Sequence, residues 1–297
     1  MKSTPKKPNF FIVGAAKSGT TSMAYYLAQH PEIFISARKE PFFFIKDAGM
    51  NNINEYYSLF KNSKKAKAIG EASTGYLFEK ESAQLIKEFS PTAKVIIILR
   101  NPVDMAYSYW KYMSLIGNEE KSFEEAISHN ERIFRNTEKF KRSSLRWWAS
   151  YLYLERGLYY NQVRNYLEVF GRENVKIYIF EEFFSNLSYF CQDIFAFLGV
   201  NRGFSPDFKK LNEGGEIRFK FLHKIRNRRY PLLKKFLPVA IRVKIQTTLL
   251  NLNIKKGKKE SMQAETRSYL EEFYKDDIVN LEGLLGKEIN FWKYKLQ

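Results

Sequence analysis

The chain has 297 residues, of which 44% are hydrophobic and 16% aromatic, and a formal net charge of +17. This composition excludes an intrinsically disordered chain. The single cysteine, Cys191, excludes an intramolecular disulfide and argues against a cysteine-based metal cluster. The excess of Lys and Arg predicts attraction to an anion such as a nucleotide, an acidic polysaccharide, a nucleic acid or a membrane surface.

The hydropathy pattern predicts a cytoplasmic protein. No stretch approaches the roughly 20 consecutive apolar residues that span a bilayer. The first residues also lack the apolar run of a signal peptide. We expect one domain over residues 1–297, with residues 1–8 as a flexible N-terminus, residues 212–260 as a basic helical segment and residues 261–297 as a C-terminal helical closure.

The first predicted unit is a strand, a loop and a helix. Residues 10–14 (FFIVG) form a β-rich apolar run, and Gly14 and Gly19 bound the loop. Helical spacing then continues until Pro31. Because backbone N–H groups at the start of a helix bind anions, this unit predicts a phosphate-binding loop.

Two further apolar runs predict two more strands. Residues 95–99 (VIIIL) are continuously apolar, as in a central parallel strand, and deliver Arg100 to the loop before a helix that begins near Pro102. Residues 175–183 (VKIYIFEEF) follow a helix of about residues 161–170. The alternation predicts a P-loop-like three-layer α/β/α fold with a central, mainly parallel sheet, in which ligands bind beyond the carboxyl ends of the strands.

The segment after residue 215 is strongly basic. Lys and Arg alternate with large apolar residues, and Pro231 and Pro238 divide the segment into two predicted helices. Its basic face is a solvated cover, a surface for an acidic substrate or, over residues 218–259, a peripheral contact with a membrane surface. The chain after it predicts an amphipathic helix that ends near Gly286.

The position of the loop lysine distinguishes two kinds of phosphate site. A Walker A loop has its lysine after the second glycine, whereas Lys17 precedes Gly19. The strand that would provide a Walker B acid is followed by Arg100. These features favour a metal-free, highly anionic ligand over the Mg²⁺-ATP of a P-loop kinase or other NTPase. A nucleic-acid-binding protein is the other alternative, which is motivated by the charge alone.

Two motifs resemble those of the sulfotransferase family. Residues 14–23 (GAAKSGTTSM) are similar to its 5′-phosphosulfate-binding loop, and residues 98–110 (ILRNPVDMAYSYW) to its 3′-phosphate-binding element, which holds Arg100 and Ser108. The resemblance extends over nearly the whole chain, through GEASTGYLF, ERGLYYNQV and FLGV, and is closest to the branch that acts on heparan-type glycans. It implies the cofactor 3′-phosphoadenosine 5′-phosphosulfate (PAPS), the product adenosine 3′,5′-bisphosphate and no metal requirement.

The resemblance also implies roles for the loop residues. Lys17 is expected to be catalytic, because it would neutralise the charge that develops on the leaving phosphate. A basic loop near the end of the chain is expected to close over the donor's 3′-phosphate. The expected PAPS-binding residues are Lys17, Ser18, Gly19, Thr20, Thr21, Arg100, Ser108, Lys256, Gly257 and Lys258.

Glu40 is the expected general base. Residues 38–44 (RKEPFFF) resemble the stretch that carries the acceptor-activating glutamate, and burial beside the phenylalanines would raise the pKa of Glu40. The alternative is an ion pair with Arg38 or Lys39. Phe42 stands where many such sequences have a histidine. Ordinary surface or capping roles are expected for the histidines His30, His129 and His223.

A further group of residues is expected to bind the acceptor: Lys39, Glu71, Ser73, Tyr76, Arg156 and Tyr159. The alternative for the three residues from 71 to 76 is a strand-to-helix turn with a capping serine. Three tryptophans either stack on a sugar or pack in the core: Trp110, Trp147 and Trp148.

The expected acceptor is a hydroxyl or amine of a saccharide, in a polysaccharide or a glycolipid. A small hydroxylated metabolite is the alternative. No nucleic acid is expected as a partner.

Overall fold

A parallel sheet forms the centre of the protein. The computed structural model describes residues 7–63, 65–144, 146–208, 216–217, 254–255 and 261–292. Within them the sheet strands are β1 (Phe10–Gly14), β2 (Ile33–Ile35), β3 (Ala68–Ala72), β4 (Lys94–Leu99) and β5 (Val175–Ile179). They pair in the order β2-β3-β1-β4-β5, and every pairing is parallel. The predicted α/β fold is confirmed.

Helices flank this sheet. Those of the described residues are α1 (Thr20–Ala28), α2 (Ile53–Ser58), α3 (Ser82–Phe89), α4 (Pro102–Leu115), α5 (Phe123–Ile127), α6 (His129–Arg135), α7 (Glu138–Ser143), α8 (Tyr159–Phe170), α9 (Phe180–Ser185), α10 (Leu187–Leu198) and α11 (Ala264–Leu285). Two short strands, β6 (Glu216–Ile217) and β7 (Ile254–Lys255), pair antiparallel with each other.

Alternation along the central strands produces an apolar layer on each face of the sheet. Phe11 of β1 packs with α3 and α8, whereas its neighbour Phe10 packs with α1 and α10. In β4, Ile97 and Ile98 divide between the same two layers. Because both faces are covered, β1 and residues 95–99 of β4 are continuously apolar, and burial of each large side chain stabilises the fold by about 1.5–3 kcal/mol.

An irregularity in β1 lies where the phosphate loop begins. Ile12 is opposite Ile96 of β4 but Gly14 is opposite Ile97, so β1 holds one extra residue at this point. A Cβ atom at Gly14 would lie 2.5 Å from the Cβ of Leu77. Glycine therefore allows the chain to leave β1 close to the segment that follows β3.

The last predicted strand was too long. β5 ends at Ile179, and residues 180–185 form α9 instead of continuing the strand. Glu181 lies in the first turn of α9, where the helix dipole favours a negative charge, and its carboxylate accepts hydrogen bonds from Asn101 N (3.1 Å) and Trp292 Nε1 (3.0 Å). These contacts between distant residues outweigh the strand propensity of the phenylalanines.

The C-terminal helix lies where the sequence predicts it. α11 ends at Gly286, which has φ 68°, and its Asp277 carboxylate accepts hydrogen bonds from Tyr159 N (2.7 Å) and Tyr160 N (3.2 Å) at the start of α8. The expected single domain and the closing role of residues 261–297 stay predictions. The basic segment of residues 218–259 lies outside the described residues apart from the backbone of β7.

A helix that crosses a membrane must be both long and apolar. In the described part of the chain, no helix is long and apolar enough to cross a membrane. The cytoplasmic location stays a prediction.

Candidate active site

A cavity of about 2020 Å³ lies beyond the carboxyl ends of the central strands. The loop after β1, Thr74 after β3, Arg100 after β4 and Phe180 after β5 all line it. Several residues expected to form the site meet there: Lys17, Gly19, Thr20, Thr21, Lys39, Glu40, Arg100, Ser108 and Arg156. The structure thus brings the predicted donor loop and the predicted base into one cavity.

The start of α1 provides backbone donors at this cavity. Gly19 is the N-cap residue with φ 78°, and no side chain caps the helix. A Cβ atom at Gly19 would lie 2.5 Å from the Phe184 ring, so both the backbone and the space require glycine. Ser18 is fully buried and donates to Ala16 O (3.3 Å). The N–H groups and the dipole of α1 can therefore bind an anion.

Three cations crowd around this loop. Lys17 has φ 60°, and its Nζ lies 4.8 Å from the centre of the Tyr112 ring. Burial lowers the pKa of Lys17, and the positive charges of Arg100 and Lys39 lower it further. Arg100 donates to Lys17 O (3.1 Å) and lies over the Phe180 ring. An anion bound between these groups would relieve their mutual repulsion.

Lys39 lies against the donor loop. Its Nζ donates to Thr21 Oγ1. Burial lowers the pKa of Lys39, and the charge of Glu40 opposes this shift. The ammonium group therefore lies between the loop and the expected base, although the sequence assigned it to the acceptor.

Glu40 is held by the segment that follows β3. Thr74 N donates to Oε2 (2.9 Å) and Thr74 Oγ1 donates to Oε1 (3.0 Å). Burial raises the pKa of Glu40, and the opposing effects come first from Lys39, then from the Thr74 hydrogen bonds and Arg156. Arg38 pairs with Glu55 at 2.9 Å, whereas the charges of Lys39 and Arg156 act on Glu40, so the alternative that Glu40 pairs with a cation stays open. Glu40 is a half-buried, oriented carboxylate whose proton affinity is increased.

Three residues expected to contact the acceptor lie behind the cavity wall. Glu71, Ser73 and Tyr76 each have no exposed surface. Oε1 of Glu71 accepts from Tyr56 OH (2.9 Å) and Tyr76 OH (2.8 Å), and Oε2 accepts from Ser73 Oγ (3.1 Å). These polar side chains bond to one another inside the protein and do not line the cavity, and their expected contact with the acceptor stays a prediction.

Arg156 and Tyr159 differ in their placement. Arg156 is 5% exposed and lines the cavity, where its guanidinium lies about 5 Å from the rings of Tyr109 (4.9 Å) and Phe78 (5.1 Å). Tyr159 is fully buried and packs against Trp292, and its expected acceptor contact stays a prediction.

The residues of the site lie within a region of the chain that is similar to known proteins. A family model described as a sulfotransferase domain matches residues 7–278. The chain belongs to the sulfotransferase family. The kinase and nucleic-acid alternatives are therefore not favoured. The crystal structure of a sulfotransferase from Alicyclobacillus acidocaldarius superposes with a TM-score of 0.73 and 31% identity, which covers 97% of this chain and 100% of that one.

Two curated relatives are larger proteins. Mouse carbohydrate sulfotransferase 15 is 27% identical over 247 residues, which are 65% of this chain and 44% of that protein. Human bifunctional heparan sulfate N-deacetylase/N-sulfotransferase 2 is 30% identical over 125 residues, which are 39% of this chain and 14% of that protein. The chain thus spans less than half the length of either relative.

Part of the cavity comes from three cations that the sequence did not assign to the site, beside two of the tryptophans that it did. Lys141 and Arg142 of α7, together with Arg146 and Trp148, line the cavity beside Trp147; we call these five residues the basic rim. Lys141 Nζ lies 4.7 Å from the centre of the Trp148 ring. The basic run EKFKRSSLRWW, with two adjacent tryptophans, was the available signal. Trp110 is not part of the lining and stacks on Tyr107.

A buried ion pair fixes the segment that carries the basic rim. Arg135 is 2% exposed, and it donates to Glu119 Oε2 (2.8 Å), Glu131 Oε1 (2.9 Å) and Tyr151 O (2.8 Å). Tyr153 OH also donates to Glu119 (2.9 Å). Each of the three guanidinium nitrogens donates to a partner, and because Glu119 precedes α6 and Tyr151 follows α7, these bonds tie α6 to the chain on both sides.

Two of the three histidines lie among the described residues, and they differ in exposure. His30 is 1% exposed rather than superficial: its Nδ1 accepts from Glu32 N (3.0 Å) and its Nε2 lies 2.8 Å from Asn201 O. His129 is exposed at the start of α6, as expected. Four expected residues lie outside the described residues: Lys256, Gly257, Lys258 and His223.

Proposed function

We propose that the protein transfers a sulfuryl group from PAPS to a hydroxyl or amine of an anionic saccharide. One observation carries this proposal: the start of α1, the cations around it and the Glu40 carboxylate all face a single cavity. A phosphate loop alone would suit many nucleotides. A half-buried carboxylate of raised pKa that lines the same cavity adds a group that can take a proton from an acceptor.

The residues of the loop suit the two ends of PAPS. The N–H groups of α1, with the hydroxyls of Thr20 and Thr21, would hold the 5′-phosphate. The Arg100 guanidinium offers a planar fork to the 3′-phosphate, and Ser108 lines the same cavity. PAPS supplies the sulfuryl group and the leaving phosphate.

The positive charge at this site comes from the chain itself, and we propose that transfer needs no metal. Lys17 and Arg100 both line the cavity. Among the described residues, His, Cys, Asp and Glu form no group of three or more that could hold an ion.

Two side chains would carry the chemistry. A Glu40 carboxylate oxygen would remove the proton of the acceptor hydroxyl as its oxygen attacks, and the two Thr74 hydrogen bonds fix the orientation of that carboxylate. The Lys17 ammonium would neutralise the negative charge that develops on the leaving phosphate. These roles divide the work between a base and an electrostatic stabiliser on separate segments of the chain.

The charge and size of the cavity support an anionic saccharide as the acceptor. Among the described residues that line it, eight are Lys or Arg and three are Asp or Glu. At about 2020 Å³, the cavity exceeds the roughly 300–1,000 Å³ typical of a site for one small ligand. Trp148 in the basic rim can stack on a sugar face, whereas cations beside it can bind carboxylate or sulfate groups. The relatives named for carbohydrate and heparan sulfate sulfation agree with this class.

Donor binding is tested by thermal unfolding. Adenosine 3′,5′-bisphosphate in the presence of EDTA should raise the melting temperature, since a ligand that binds only the native state stabilises it. Arg100→Ala should abolish most of this shift. Stabilisation by Mg²⁺-ATP but not by the bisphosphate would contradict the proposal.

The acceptor class is tested by transfer from ³⁵S-labelled PAPS. Oligosaccharides that carry uronic acids or sulfates should be labelled faster than neutral oligosaccharides of equal length and faster than small alcohols. Neutralising the basic rim with Arg142→Gln and Arg146→Gln should raise the KM of the anionic acceptors and leave that of PAPS unchanged. Preferential labelling of small alcohols would favour the metabolite alternative.

A further inference from the structure

We propose that Glu71 is a positioning residue for Glu40: its buried carboxylate directs the Ser73 and Tyr76 hydroxyls so that both accept hydrogen bonds from the turn that follows Glu40. The inference rests on the proposed role of Glu40 as the base. It concerns a group that lies outside the cavity and touches neither donor nor acceptor.

Three hydroxyl groups direct their protons towards the Glu71 carboxylate. Tyr56, Ser73 and Tyr76 each donate a hydroxyl proton to the Glu71 carboxylate, at 2.9, 3.1 and 2.8 Å. Above its pKa of about 7 the Glu71 carboxylate is ionised and only accepts hydrogen bonds, and a hydroxyl has a single proton. All three protons therefore point towards Glu71, and the hydroxyl lone pairs face away from it.

The lone pairs of two of these hydroxyls accept hydrogen bonds from backbone N–H groups. Phe42 N donates to Ser73 Oγ (3.4 Å), and Phe44 N donates to Tyr76 OH (3.4 Å). Both N–H groups belong to the turn after Glu40. The backbone of this turn is unusual, because Glu40 (φ 53°) and Phe42 (φ 51°) adopt left-handed conformations that non-glycine residues avoid. Bonds to its N–H groups hold the turn in this conformation.

Glu40 itself is hydrogen-bonded to the same segment of the chain. Glu40 N donates to Ala72 O (3.1 Å), and Thr74 binds both carboxylate oxygens of Glu40. The short segment from Glu71 to Tyr76 thus makes hydrogen bonds with the backbone of the Glu40 turn and with the Glu40 carboxylate. A shift of this turn would move the carboxylate, and a misplacement of about 1 Å can reduce a rate about 100-fold.

An acceptor-only group is needed at position 71. The glutamine in Glu71→Gln carries two N–H donors, at least one of which would face a hydroxyl that now donates. That hydroxyl would have to turn its proton away from position 71. If the hydroxyl is that of Ser73 or Tyr76, its proton would point at the N–H of Phe42 or Phe44 and the bond to the turn would be lost.

The decisive experiment compares Glu71→Gln with Tyr56→Phe. Tyr56 OH donates to the same carboxylate but accepts no bond from the Glu40 turn, which makes it the matched control. At pH 8, where Glu71 is ionised, we expect Glu71→Gln to lower kcat about 10- to 100-fold, with the KM of PAPS and the Kd of adenosine 3′,5′-bisphosphate within about twofold of wild type. Tyr56→Phe should change kcat less than about threefold. Equal losses in the two variants, or a parallel loss of donor binding, would overturn the proposal.

A second measurement does not depend on sulfuryl transfer. Hydrogen exchange at the Phe42 and Phe44 amides should be faster in Glu71→Gln than in wild type and unchanged in Tyr56→Phe. Ser73→Ala should expose the Phe42 amide alone, and it serves as the test if Glu71→Gln does not fold. Unchanged exchange in both Glu71→Gln and Ser73→Ala would disprove the positioning role. If exchange changes as expected but Glu40→Gln keeps wild-type turnover, the proposed base fails while the positioning of its turn stands.

Discussion

The Lys39 ammonium donates a hydrogen bond to the hydroxyl of Thr21, and this bond joins the strand-end segment that carries Glu40 to the donor loop. Both residues line the cavity. Because Glu40 is the next residue after Lys39, a bond made to the loop also affects the position of the expected base. We therefore expect a change at the loop to affect the proposed base through these two side chains.

Lys39→Met should weaken binding of adenosine 3′,5′-bisphosphate about 10-fold and also lower kcat. Lys39 lines the cavity, so the variant removes a positive charge from the site of the bound anion, and a loss of about 1.4 kcal/mol there corresponds to a tenfold change in affinity. Isothermal titration of Lys39→Met, Thr21→Val and the double variant measures the coupling. Fully additive losses would show that the bond does not contribute to binding.

Glu40→Gln should reduce kcat by about 10²- to 10⁴-fold and leave bisphosphate binding intact, because the amide cannot take a proton. The raised pKa of Glu40 also sets the sign of the pH dependence. The wild-type rate should fall as the pH falls through that pKa, which lies above the ordinary glutamate value. A pH–rate profile checks this, and near-normal turnover of Glu40→Gln would reject the base assignment.

Arg100→Lys should weaken binding of adenosine 3′,5′-bisphosphate by about 10- to 100-fold, since a lysine cannot form the bidentate contact of a guanidinium. Adenosine 5′-monophosphate, which lacks the 3′-phosphate, is the matched ligand. Its affinity should change less than about threefold. Equal losses for the two ligands would place Arg100 at the 5′-phosphate instead.

Ionisation of Glu71 should make stability depend on pH. Burial raises the pKa of Glu71 from 4.5 to about 7, so its contribution to stability is present below pH 4.5 and is lost as the pH rises through about 7. The loss amounts to roughly 3 kcal/mol. Denaturant unfolding of wild type and Glu71→Gln at pH 4.5 and pH 8 isolates this group. The difference between the two proteins should change in favour of the variant at pH 8, and a constant difference would contradict the assignment.

Arg135→Met should lower the free energy of unfolding by about 3–5 kcal/mol, because it leaves the Glu119 carboxylate buried without its cation. Lys275→Met removes an exposed i,i+3 pair with Glu272 and should change the free energy by less than about 0.5 kcal/mol. Urea unfolding of both variants makes the comparison. A loss below about 1 kcal/mol in Arg135→Met would show that the basic-rim segment is anchored by other contacts.

Features that depend on local chemistry were readable from the sequence. The apolar run of β4 marks a strand covered on both faces, and Arg100 follows at its carboxyl end. Gly19 marks the left-handed residue before α1. In each case the signal lies within about ten residues, so strand, loop and helix could be placed without tertiary information.

Features that depend on distant contacts were not readable. Glu71 lies only three residues before Thr74, which lines the cavity, yet Glu71 is fully buried. Its hydrogen-bond partner Tyr56 comes from another segment of the chain. Residues 180–185 have strand propensity, but the contacts of Glu181 with Asn101 and Trp292 favour a helix. Arg142 and Arg146 reach the cavity only because the anchored chain around Arg135 returns to it. Burial and cavity walls arise from packing between segments that the sequence does not place relative to one another.

The left-handed residues of the site have a consequence for mutational scanning. Among the described residues, the non-glycine positions with positive φ are Lys17, Glu40 and Phe42. Each such conformation costs about 1–3 kcal/mol, and alanine retains most of that cost whereas glycine removes it. An alanine variant at Lys17 or Glu40 therefore reports the lost side chain alone, but a glycine variant also relaxes the backbone. A glycine scan of this sulfotransferase should find inactive variants that are more stable than the wild type.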